Sequence, residues 1–333
     1  MAVDWVGAVA RHPRSGALAG ALCIAFSGIF FRFSGTTPAT ATVFRCLYAL
    51  PFLAPLAIAE RRRLGPFGRH GAVAGLAGLF FAVDLLAWQH AVLEVGAGLA
   101  TVLANLQVVV IAVVAWVALR ERPSRGVLAS MPAMLAGVVL ISGLVGGRAY
   151  GADPRLGAVL GICSAVAYAG YLLLARQGNP GGLRPATVLF DASAATVVAG
   201  AVAGTLLGEF DPVPSWPAHG WLLLLALTAQ VAGCLLISAS LPRLPAAITS
   251  VILLAQPVTT VFLGAALLGE APSIVQLGGV VLVVAGLLAA STSGRPATLR
   301  RRASAVKPEA AEGTRGVPGR ASVRQSRAAR APH

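Results

Sequence analysis

Residues 97–143, AGLATVLANLQVVVIAVVAWVALRERPSRGVLASMPAMLAGVVLISG, and residues 246–292, AAITSVILLAQPVTTVFLGAALLGEAPSIVQLGGVVLVVAGLLAAST, are one pattern written twice. A constant shift of 149 positions lays Gln107 on Gln256, Glu121 on Glu270, Pro123 on Pro272 and Ser124 on Ser273. The same shift carries on without a gap through Ala136/Ala285, Gly137/Gly286 and Ser142/Ser291. Each copy consists of two apolar stretches joined by a short polar turn. So constant an offset across two membrane-length segments argues for duplication of a whole helical unit, an architecture that many carriers use.

Composition agrees with a bilayer environment. Hydrophobic residues make up 57% of the chain and charged residues 11%, against about 25% charged in a soluble domain. A span needs roughly 20 apolar residues, because the hydrocarbon core is about 30 Å thick and a helix rises about 1.5 Å per residue. Ten stretches are expected to be spans: 16–33, 39–59, 71–91, 97–119, 126–145, 154–175, 186–208, 217–240, 246–268 and 273–292. This is an all-α polytopic membrane protein, with a first five-helix repeat over 16–145 and a second over 154–292. Residues 1–15 form an N-terminal segment. Cys23, Cys46, Cys163 and Cys234 all fall within spans, where they act as small apolar residues rather than a disulfide framework. The first apolar run follows Arg11 and Arg14 and continues to Phe33 with no small-residue cleavage site, so it reads as a retained span.

Basic residues give the orientation. Of 26 Lys and Arg, 22 fall before span 1, in alternate connections and in the tail, whereas Arg148 and Arg155 stand on the other face. The positive side is cytoplasmic, which places both termini inside the cytoplasmic membrane of the cell. Five spans per repeat is an odd number, so the second repeat enters the membrane upside down and the repeats are inverted. The tail over 293–333 carries +8 of the net charge of +14 and almost no large apolar residue. It is expected to be disordered and to lie along anionic lipid. No aromatic residue interleaves its arginines, which argues against nucleic acid.

Ionisable and amide side chains at bilayer depth are the functional candidates. Helical rise places Arg45, Asp84 and Asn105 about 4 to 6 Å outside the midplane on spans 2, 3 and 4. Two readings of Arg45 and Asp84 stand side by side: a structural ion pair locking spans 2 and 3, or a site for solute or proton. Gln107 and Gln256 lie nearer the midplane on equivalent helices, where a pseudo-two-fold axis brings them together. Pro257 frees a carbonyl or kinks span 9. Trp88, one turn from Asp84, and the Tyr168/Tyr171 pair either line a cavity or face a neighbour. His90 and Asp191 read as interfacial, Asp191 within reach of Arg176 or Arg184. Glu121 and Glu270 read as caps for the helices that follow them.

No HExxH, GxSxG, phosphate loop or metal-spaced cysteine cluster occurs, so neither enzyme chemistry nor a cofactor is expected. The run from DLLAWQHA at 84–91 through VLAN at 102–105, LRERPS at 119–124 and LAGVVLISG at 135–143 resembles the EamA-type proteins of the drug/metabolite transporter superfamily. QPVTTVFLGAALLGEAPS at 256–273 is similar to the family's second-half signature. The resemblance covers 16–292. It implies a ten-helix exporter or exchanger of small metabolites without a cofactor, and Arg45 resembles an arginine common in such proteins. Where that family often has Glu before Pro, this chain has Gln107 and Gln256, so a proton-coupling role moves to Asp84. The expected function is secondary transport by alternating access, with a metabolite and a proton or other ion as ligands. A membrane sensor or assembly protein working through its basic tail, and a lipid-headgroup translocator, are the alternatives.

Overall fold

Backbone amides inside a bilayer have no water to bond to, so apolar segments satisfy them within helices. All regular structure among the described residues is accordingly helical. The computed structural model describes residues 11–65, 69–119, 125–145, 149–179, 183–240, 243–244 and 246–292. The first half comprises α1 (Pro13–Ala25), α2 (Ser27–Ser34), α3 (Pro38–Leu64), α4 (Arg69–Val95), α5 (Ala97–Ala104), α6 (Gln107–Leu119) and α7 (Arg125–Ile141). The second comprises α8 (Pro154–Gly178), α9 (Pro185–Leu207), α10 (Trp216–Leu225), a π-helical segment (Ala226–Gly233), α11 (Cys234–Ser240), α12 (Ala246–Leu268) and α13 (Ile274–Thr292). Residues 1–295 group as one unit, and the basic tail lies outside the described residues.

Among the described residues, six rods are long and apolar enough to cross a membrane: Pro13–Ser34, Pro38–Leu64, Gly71–Val95, Pro154–Gly178, Pro185–Leu207 and Trp216–Ser240. Four shorter apolar helices accompany them, Ala97–Ile111, Gly126–Ile141, Ile252–Leu268 and Ile274–Ala290. Starts are set by local chemistry. Proline stands in the first turn of α1, α3, α8 and α9, where its missing N–H leaves nothing unpaired. Asp153 Oδ1 accepts from the backbone N–H groups of Arg155 and Leu156 at 3.1 and 3.0 Å, capping α8. Large apolar side chains such as Phe262, Val281 and Leu206 point outward, 66 to 82% exposed, as a lipid-facing surface requires. The interior is built largely of small residues, which let backbones approach closely.

Equivalent helices of the two repeats meet in antiparallel pairs. A Cβ on Gly137 would lie 2.7 Å from Val283 Cγ2, and one on Gly286 would lie 2.4 Å from Met134 Cγ. The shift of 149 turns the first contact into the second. As the residue number rises along α7 it falls along α13, so the two run in opposite senses about a local two-fold. The α3/α9 pair repeats this. Glu60, near the end of α3, accepts from Ala186 N at 3.1 Å and Thr187 N at 2.8 Å at the start of α9. Its repeat mate Glu209, just past α9, accepts through its carbonyl from the Thr37 hydroxyl at the start of α3.

Two expectations about single spans change. The stretch 97–119 is not one continuous helix: it breaks at Asn105 and Leu106, where Asn105 Nδ2 turns back to Thr101 O at 2.8 Å. The mate of this stretch, α12, stays helical straight through Pro257. The 217–240 stretch opens into a π-helix over Ala226–Gly233, a distortion frequent at functional sites.

Candidate functional site

A cavity of about 570 Å³, counted out to its open mouth, lies where α3, α4, the α5/α6 break, α8, α11 and α12 converge. Arg45, Asp84 and Trp88 line it from the first repeat, with Asn105 and Gln107 at the break. Tyr168 and Gln256 line it from the second repeat. Of the candidates named from sequence, Tyr171 alone is not among the lining residues. It stacks on the Phe81 ring with centroids 4.5 Å apart and belongs to a buried cluster behind the wall.

Arg45 and Asp84 are 4 and 6% exposed and share the cavity, yet no ion pair within 4.0 Å joins them. Of the two readings, the direct ion pair is not formed, because each group has a neutral partner instead. Arg45 Nε donates to Gln230 Oε1 at 3.0 Å, and the Ser164 hydroxyl donates to Asp84 Oδ1 at 2.6 Å. Arg45 also sits over the Phe81 ring, 6.0 Å from its centroid, at the edge of cation–π range. Gln107 Oε1 is buried with no hydrogen-bond partner, leaving an acceptor unsatisfied at the cavity wall. The site thus brings together a guanidinium, a carboxyl group and a free amide acceptor between aromatic faces, an arrangement able to hydrogen-bond a polar solute. Among the described residues no cluster of His, Cys, Asp and Glu has metal-binding geometry.

Beyond Thr101, which lines the cavity, the start of α5 is closed off by a carboxylate from the second repeat. Glu270 accepts from Ala97 N at 2.6 Å and Gly98 N at 3.2 Å, so it caps α5 from across the molecule. The expected capping of its own following helix is corrected: Ser273 N bonds to Gln276 Oε1 at 3.0 Å instead. Glycines make room for the seal, since a Cβ on Gly98 would lie 2.7 Å from Val261 Cα and one on Gly264 2.3 Å from Glu270 Oε2. Gln276 extends the seal, accepting from Tyr150 N at 2.8 Å and donating to Ile141 O at 3.2 Å. Burial first, and then the Glu270 charge, push the Tyr150 phenol above its usual range, so it stays neutral. The mate of this contact would pair Glu121 with the start of α12, and Glu121 lies outside the described residues. At that opposite end, α6 packs against α8.

Peripheral charges are satisfied differently from expectation. Asp191 pairs with Arg61 rather than Arg176 or Arg184, and Arg184 NH1 donates to Gly65 O at 2.8 Å, at the end of α3. His90 Nε2 lies 3.2 Å from Glu209 Oε2. Sequence reasoning missed Gln230 and Ser164, which hold the two cavity charges. A lone glutamine inside the apolar rod Trp216–Ser240 was the available signal for the first. For Ser164 the sequence offers none, since serine is common in spans.

Fold and cavity together define the class: a multi-pass helical membrane protein of two similar halves with a polar chamber between them. Residues 15–143 and 155–292 each match the EamA-like transporter family, and the chain belongs to that family, whose members are transporters of the drug/metabolite superfamily and not enzymes. No curated protein matches the chain. One solved structure, described only as "Crystal structure of protein", is similar in fold, with a TM-score of 0.56 and 18% identity over 85% of this chain and 98% of the other.

Proposed function

We propose that this protein is a secondary carrier of small zwitterionic metabolites across the cytoplasmic membrane, working by alternating access as an exporter or exchanger. The single observation that carries the reading is a pair of buried opposite charges in one cavity, each held by a neutral group and not by the other. A buried charge without a counter-charge is unfavourable, and a solute with both a carboxylate and an ammonium completes both at once. Gln107 Oε1 offers the ammonium a further acceptor. A proton and that ammonium compete for Asp84, which supplies a route to coupling.

Ten spans with both termini cytoplasmic complete the proposal, and the antiparallel α7/α13 and α3/α9 contacts support inverted repeats. In that orientation the Glu270 contact with the start of α5 lies at the outer end, and making and breaking that contact is the outer gate of the carrier. Counterflow into proteoliposomes tests the function. L-leucine, its carboxamide and its decarboxylated amine are compared, and exchange of leucine alone is expected. Equal exchange of all three, or of none while neutral sugars exchange, overturns the zwitterion reading.

A further inference from the structure

We propose that Gln230 is a specificity-determining residue of this cavity: its amide fixes the Arg45 guanidinium in place without cancelling the charge that a solute carboxylate needs. The proposal deepens the carrier reading above and rests on it for the solute. Gln230 is fully buried, and both ends of its amide are engaged, Oε1 by Arg45 Nε and Nε2 by the Ser193 hydroxyl, each at 3.0 Å. It sits in the middle of the π-helical segment Ala226–Gly233, whose wider turn sets it between α3 and α9. The segment is wedged in position, because a Cβ on Gly233 would lie 2.5 Å from Ile24 Cγ1 and one on Gly20 would lie 2.9 Å from Gly233 O. Cys234, the next residue, lines the cavity.

The chemistry of the partner matters more than its presence. A carboxylate at this position would close an ion pair with Arg45 and leave nothing for a ligand. An amide of the same shape accepts from the same nitrogen and carries no charge. Nε goes to Gln230 and the guanidinium also bonds the neighbouring Cys234 thiol, but no carboxylate lies within 4.0 Å of it, so its charge stays open to a solute carboxylate. Without the tether, the guanidinium would be free to swing onto Asp84, and the two charges would cancel.

Cys234 gives a readout of charge that needs no solute. In protein carrying Cys23→Ser and Cys163→Ser, with Cys46 fully buried, Cys234 is the cavity thiol. Its reaction rates with an anionic methanethiosulfonate (ethylsulfonate) and a cationic one (ethyltrimethylammonium) are compared as a ratio. Gln230→Glu lowers the anionic-to-cationic ratio by about tenfold or more. Gln230→Asn, which withdraws the tether, and Arg45→Gln lower it in the same direction. Because Gln230→Glu adds a charge of its own one turn from Cys234, the neutral Gln230→Asn variant is decisive: a purely structural hydrogen bond predicts reduced thermal stability with its ratio unchanged. An unchanged ratio in a folded Gln230→Asn protein overturns the proposal, and if that variant does not fold, the ratio in Gln230→Leu decides. In the same preparations, stabilisation by L-leucine over leucinamide is lost in Gln230→Glu. No such preference in the unsubstituted protein refutes the zwitterion reading, while the thiol rates still judge Gln230.

Discussion

A guanidinium and a carboxylate that share a chamber without touching are each held by a hydrogen bond from or to an uncharged group, and this sets what single substitutions do. Arg45→Lys keeps the charge but loses the planar fork and the Gln230 contact, and it should weaken binding of a carboxylate solute about tenfold, or roughly 1.4 kcal/mol. Isothermal binding of L-leucine checks this, with unchanged affinity as the contrary result. Asp84→Asn removes both the ammonium partner and the titrating group. Flux in liposomes should then become independent of an imposed pH gradient, and a retained pH profile would remove Asp84 from the coupling step.

Elements carry the stability and the gating. Gly137 and Gly279 place the α7 and α13 backbones in contact, with a Cβ on either falling 2.6 to 2.7 Å from the other's carbonyl oxygen. Gly279→Leu should therefore destabilise by about 1–3 kcal/mol, read as a lower melting temperature in detergent. Combining it with Gly137→Leu should add far less than a second full increment, because both enter one contact. A fully additive loss would mean the two helices do not touch there. At the sealed end, Glu270→Gln keeps an acceptor for the start of α5 but removes the charge that strengthens two backbone hydrogen bonds. An impermeant thiol reagent added outside should then label Thr101→Cys several-fold faster, and an unchanged rate would show that the seal does not depend on Glu270.

For the whole molecule, the proposed inversion of the two repeats has the widest consequences. Two repeats related by a two-fold in the membrane plane present equivalent turns to opposite sides. Impermeant labels should reach a cysteine placed at the exposed Ala271, beside Glu270, from outside and one placed at its repeat mate Arg122 only from inside. Labelling of both from one side would end the inverted-repeat reading. Removal of 295–333 leaves the helical unit whole, and transport should survive it, whereas loss of function with normal insertion would favour the sensor or assembly reading.

The duplication, the helical class and the membrane setting were legible because they depend on composition, periodicity and a repeat offset, which are local or self-comparing properties of the chain. Arg45, Asp84 and Gln107 stood out because polar groups are expensive in lipid wherever the fold places them. Their partners were not legible. Whether Arg45 meets Asp84 or Gln230 depends on a π-helical turn and on how α3, α9 and α11 pack, and an apolar sequence is compatible with either outcome. Glu270 likewise looked like a local cap, because the sequence records its neighbours along the chain and not the start of α5 that packing brings to it from 173 residues away. Sequence determined which groups must find partners in the membrane; tertiary packing chose those partners, since hydrogen bonds act over about 3 Å of space without regard to separation along the chain.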